Sequence, residues 1–103
     1  MTIIDGKEYY GVIYKITNVI NNKCYIGQTT HKRGFLDRYP NRGKGIERVY
    51  KYHKHREDIN ASCNTYLLRS IEKYGFDNFV VDEVFDTANS KEELDYKEIM
   101  YIA

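Results

Sequence analysis

"GVIYKITNVINNKCYIGQTT" (residues 11–30) carries two tyrosines, Tyr14 and Tyr25, on either side of an Asn21-Asn22 pair. Residues 9–17 alternate as a strand does, with Tyr10, Val12, Tyr14 and Ile16 on one parity. Asparagine tolerates left-handed backbone angles, so Asn21-Asn22 predicts a tight turn, and residues 23–29 predict the return strand. A two-residue turn there would set Ile16 opposite Gly27 and Asn18 opposite Tyr25. In that register Tyr14 and Tyr25 project from the same face. A slip of one residue would separate them.

Further along, "GFLDRY" (34–39) predicts a short helix ended by Pro40. Residues 41–60 are basic and poorly periodic, and read as a loop with one helical piece near 46–52. Asn64 is a plausible N-cap for "TYLLRSIEKYG", where Leu67, Leu68, Ile71 and Tyr74 keep helical spacing and Gly75 stops the helix. "DNFVVDEVF" predicts a third strand over about 79–85. Ser90 with Glu93 forms a capping box for a last helix over about 91–101. The expected fold is α+β, a small three-stranded antiparallel sheet flanked by helices.

A chain of 103 residues with 42% hydrophobic and 30% charged content predicts one globular domain, residues 1–103. The apolar helical pattern is still running at "IMYIA" (99–103), as in a domain cut from a longer protein. Cys24 and Cys63 make neither a disulfide framework nor a metal cluster. Early charges at Asp5, Lys7 and Glu8 argue against a signal peptide, so an intracellular, cytoplasmic location is expected. The net charge of +1 hides a segregation: residues 31–56 hold nine basic and two acidic groups, and residues 57–103 hold four and eleven. Such a basic middle suits the phosphate backbone of a nucleic acid, through Lys32, Arg33, Arg42, Lys44, Arg48 and Lys51.

Two charged residues stand out on pattern. Glu98 has Leu94 and Ile102 four residues to either side, so its carboxylate flanks the apolar side of the last helix. It is either a functional acid or a boundary residue turned to solvent, and Asp95 competes with it. Arg38 offers a rigid fork of donors suited to phosphate, but spacing alone does not separate it from Arg33 and Arg42. His31, His53 and His55 match no zinc or metalloprotease spacing, and no phosphate-binding glycine loop is present.

"VIY" at 12–14 and "YIG" at 25–27, with "IYKITN", "NNKCYIGQT", "IEKYGFDNF" and "KEIMYI", resemble the GIY-YIG nuclease family, in particular its phage-type and homing-endonuclease-like members. The resemblance spans roughly residues 10–102. It implies a magnesium- or manganese-dependent DNA endonuclease that cuts phosphodiester bonds. It assigns Tyr14 as the central tyrosine, Tyr25 as its partner beside the water or a phosphate oxygen, and Gly27 to close packing behind them. By the same resemblance Arg38 is the catalytic arginine, with Arg33 the weaker choice, and Glu98 binds the metal. A specificity domain or partner protein elsewhere is expected with it. Val12 replaces the first motif glycine, and "ASCNTYLL" (61–68) lacks the histidine that some members carry there. Asn64 stands in that region, and His53 or His55 would have to fold back to supply the group. The missing histidine motivates an alternative, a catalytically weak or inactive nucleic-acid-binding module.

Overall fold

The computed structural model describes residues 1–40 and 43–102. Its elements are β1 (Thr2–Ile4), β2 (Lys7–Tyr9), β3 (Gly11–Asn18), β4 (Cys24–Thr29), α1 (Phe35–Arg38), α2 (Gly45–Asp58), α3 (Thr65–Tyr74), β5 (Phe79–Ala88) and α4 (Lys91–Ile102). A three-stranded antiparallel sheet runs in the order β4-β3-β5, and β1 and β2 form a separate hairpin. The architecture is α+β, as expected from the sequence.

β3 is central and covered on both faces, so Val12, Ile13, Tyr14 and Ile16 are all buried instead of alternating. On one face Tyr14 and Ile16 pack with Phe35, Tyr39, Ile46, Val49, Leu67, Ile71 and Phe79, from α1, α2, α3 and the start of β5. On the other face Ile13 packs with Ala88 and with Leu94 of α4. The sheet thus separates two cores, and which face a residue takes decides which helices it can meet.

The β3–β4 register pairs Tyr14 with Gly27 and Ile16 with Tyr25. The two-residue turn expected at Asn21-Asn22 is replaced by a longer one. The Asn18 N–H donates to the Lys23 carbonyl at 2.9 Å, the Asn18 side-chain oxygen accepts from the Ile20 N–H at 2.9 Å, and Asn22 alone of the pair takes a positive φ of 60°. The pairing therefore moves by two residues. A shift of two preserves parity, so Tyr14 and Tyr25 still share a face.

Three further differences have physical causes. The strand expected to run unbroken over 9–17 is broken at Tyr10: residues up to Tyr9 pair back on β1 across the Asp5-Gly6 turn, whose φ values are 49° and 79°, while β3 begins at Gly11 and the Tyr10 N–H donates to the Ala88 carbonyl at 2.9 Å. β5 continues past Phe85 to Ala88, where Gly11, Val12 and Ile13 offer pairing partners. Its ladder slips between Ile13–Asp86 and Lys15–Asp82, a bulge directly opposite Tyr14. Residues 45–58 form a full helix, not a loop with one helical piece. Its buried stripe is Ile46, Val49 and His53, and a histidine in an apolar position hides the period. Ion pairs Glu47–Lys51 at 2.9 Å and Lys54–Asp58 at 3.4 Å follow the i,i+4 rule along its surface. α3 and α4 are capped as the sequence indicates: Asn64 accepts from the Leu67 N–H at 3.0 Å, and Ser90 from the Glu93 N–H at 3.1 Å.

Candidate active site

Tyr14 lies in the middle of β3 and is 6% exposed. Its ring crosses directly over Gly27 of the neighbouring strand. A methyl group at 27 would collide with the Tyr14 hydroxyl, so only glycine lets the ring lie there. Phe35 and Tyr39 of the α1 turn pack edge-on against it, at 5.5 and 5.7 Å between centroids. The Tyr14 and Tyr39 hydroxyls are hydrogen-bonded at 3.1 Å inside this aromatic wall. Burial foremost, then the Tyr14 hydroxyl, push the Tyr39 phenol far above the ordinary tyrosine range. Tyr39 therefore keeps its proton and is suited to donate it to Tyr14.

Arg38 ends α1 next to this pair. Its guanidinium lies over the Tyr39 ring at 4.6 Å and the Tyr52 ring at 5.2 Å. Burial works against its charge, but its interactions with Tyr39, Tyr14 and Tyr52 outweigh this and hold its pKa above the usual arginine value. Arg33 is elsewhere: it pairs with Asp37 at 2.8 Å on the exposed side of the turn. Of the two arginines, Arg38 is the one beside the tyrosines.

His53 is 3% exposed and packs edge-on against Tyr39 and Tyr52. Its Nδ1 accepts the Asn64 N–H at 3.2 Å, so the neutral ring carries its proton on Nε2. Burial first, then the charges of Arg38 and Arg56, lower its pKa to about 4. Nε2 is buried and has no partner among the described residues. His53 and Asn64 are thus linked to each other and to the aromatic wall. His55, two residues on along the helix, is exposed and faces away.

Tyr25 is half-buried on the same sheet face and packs against the core around Tyr14. Glu98 is not in that group. α4 packs on the opposite face, and the Gln28 amide donates to Asp95 at 3.2 Å where the helix passes β4. Asp95 also accepts from Lys91 at 2.8 Å, so the competing acid is fully engaged. Glu98 lies one turn further, half-buried, with neither hydrogen bond nor ion pair among the described residues. β4 is an edge strand, and its edge is where the two faces meet.

No protein-family profile and no curated protein matches the chain. Among solved structures it is similar to the catalytic domain of homing endonuclease I-TevI, with a TM-score of 0.52 and 24% identity over 89% of this chain and 84% of that one. The chain has the GIY-YIG fold.

Within this GIY-YIG fold the cations expected to contact DNA divide sharply. Lys32 and Lys44 are exposed. Arg33 and Lys51 are held in ion pairs with Asp37 and Glu47. Arg48 is structural: its guanidinium donates to the carbonyls of Leu36 (2.7 Å), Gly43 (3.4 Å) and Tyr39, closing the end of α1. Arg42 lies outside the described residues. Tyr39 and Tyr52 were not singled out from sequence. Among eleven tyrosines no spacing marks them, and their only signal is Tyr39's place directly after Arg38. No helix among the described residues is long and apolar enough to cross a membrane.

Proposed function

We propose that this domain is a GIY-YIG-type endonuclease that hydrolyses phosphodiester bonds in DNA with a divalent metal, Mg²⁺ or Mn²⁺. The observation that supports this best is the buried Tyr14–Tyr39 hydroxyl pair with Arg38 stacked beside it, in a fold shared with a nuclease catalytic domain. Tyr14 takes the proton of the attacking water. A phenol ordinarily titrates near 10, and this role requires support for its oxyanion. Tyr39 supplies it by hydrogen bond and Arg38 by charge. Arg38 also stabilises the phosphoryl oxygens in the transition state, where losing one such donor costs roughly 100-fold in rate. Tyr25 orders the water or a phosphate oxygen. His53, buried with its Nδ1 accepting the Asn64 N–H, supports the aromatic wall and does not itself reach the substrate.

Glu98 is the metal ligand in this reading. Magnesium keeps several waters and takes one or two carboxylates together with substrate phosphates. A half-buried carboxylate without a partner among the described residues fits that requirement. Glu98 would have to reach the substrate around the β4 edge. When bound, the metal supplies charge stabilisation at the phosphoryl group and leaving oxygen.

Supercoiled plasmid incubated with Mg²⁺, with EDTA, and with a Glu98→Gln variant tests this. Cleavage by the wild type, abolished in both controls, is the expected result. One observation favours the alternative of a weak or inactive nucleic-acid-binding module: Tyr14 is almost wholly enclosed. Retained DNA binding without wild-type cleavage would select that module.

A further inference from the structure

The outer side of α3 carries Tyr66, Arg69, Ser70 and Lys73 at helical spacing, opposite the buried Leu67, Leu68 and Ile71. Tyr66 is 84% exposed, which leaves a large aromatic ring fully in water on the first turn of the helix. These residues line a shallow groove of about 220 Å³, completed by Lys23 and Tyr25 from β4 and its turn and by Tyr74. Lys73 lies against the Tyr74 ring at 5.2 Å. Lys23 and Lys73 have no ion pair among the described residues, whereas Arg69 is held by Glu57 and Glu72. Tyr25 is shared: it lines the groove and packs on the core beside Tyr14.

We propose that this groove binds a single-stranded stretch of DNA and leads it to Tyr14, with a base stacked on Tyr66 and phosphates beside Lys23 and Lys73. This rests on the nuclease reading for its substrate class. Two observations select the occupant. An exposed phenol ring flanked by free cations is the chemistry of single-strand binding, because every unpaired base offers a π-face. A duplex offers none, since its base faces are already stacked. The groove is also continuous with the site through Tyr25, while Arg33, Arg48, Lys51, Lys54 and Arg56 of the basic segment are committed to ion pairs or carbonyls.

The test is fluorescence anisotropy of a labelled 12-mer single strand, in EDTA and about 50 mM salt, with the matching duplex as comparison. Base–aromatic stacking carries ~1–3 kcal/mol, so Tyr66→Ala should weaken single-strand binding by roughly 5- to 100-fold. Lys73→Glu should weaken it as well, and Lys7→Glu on the N-terminal hairpin should leave it within about twofold. Tyr66 is solvent-exposed, so its replacement leaves the fold intact, which circular dichroism checks. Wild-type affinity in both groove variants, or no binding of the single strand, overturns the proposal. Binding is read without metal. A protein that binds through Tyr66 but never cuts would therefore refute the hydrolysis and keep the groove. Cutting that persists with unchanged binding in Tyr66→Ala would do the reverse.

Discussion

The Tyr14 hydroxyl faces one other hydroxyl, that of Tyr39, and the space beneath it is kept clear by Gly27. Tyr39→Phe removes a single oxygen and leaves the ring packing in place. Under the proposed mechanism it should slow plasmid cleavage by about tenfold, because the oxyanion of Tyr14 loses its donor. A rate equal to wild type would assign Tyr39 to packing only. Gly27→Ala forces the Tyr14 ring aside. Overpacking of this kind costs ~1–3 kcal/mol, so urea denaturation should show that loss together with loss of cutting. His53 gives a pH prediction that does not depend on activity. Its folded-state pKa is about 4 against an ordinary 6.5, so the unfolded chain binds the proton that the folded one refuses. Its contribution is therefore complete above pH 6.5 and lost as pH falls toward 4, on the order of 3 kcal/mol. Urea midpoints from pH 7 to pH 4 should decline by that order in the wild type, and His53→Gln should flatten the decline.

Elements whose residues repeat cleanly were legible before any coordinates. β3 and β4 flank the Asn21-Asn22 turn, α3 has Leu67, Leu68 and Ile71 between Asn64 and Gly75, and α4 opens on Ser90 with Glu93. α2 was not, because its inward position 53 is a histidine and its remaining surface is charged. The β1–β2 hairpin was also missed. Asp5-Gly6 is a strong turn signal, but strands of three residues give alternation nothing to count. Within the site, the motif residues Tyr14, Tyr25, Gly27 and Arg38 were nameable from sequence, whereas Tyr39 and Tyr52 join them only through the fold. At this scale Leu94 is the test of the second core. It alone of α4 is fully buried, against Ile13 and Ala88. Leu94→Ala should cost ~2–5 kcal/mol in chemical denaturation, and a smaller loss would mean that α4 is weakly docked.

Across the whole molecule the charge segregation of the chain survives folding. Among the described residues no ion pair links residues 31–53 to an acid beyond Asp58. Lys91, Lys97 and Arg69 are paired instead with acids of the C-terminal half or with Glu57. Among the described residues Lys54 alone of residues 31–56 pairs with the acidic segment, through Glu57 and Asp58, and DNA binding should weaken steeply as salt is raised. The molecule's two faces also frame the central claim. Tyr14, Tyr25 and Arg38 share one, Glu98 is on the other, and the account requires both to serve one phosphate across the β4 edge. The most direct test concerns Tyr14 itself: single-turnover cleavage of plasmid by Tyr14→Phe at saturating protein, with folding and DNA affinity checked in parallel. The account predicts a loss of about 100-fold or more with both controls unchanged. Cleavage at the wild-type rate would contradict it.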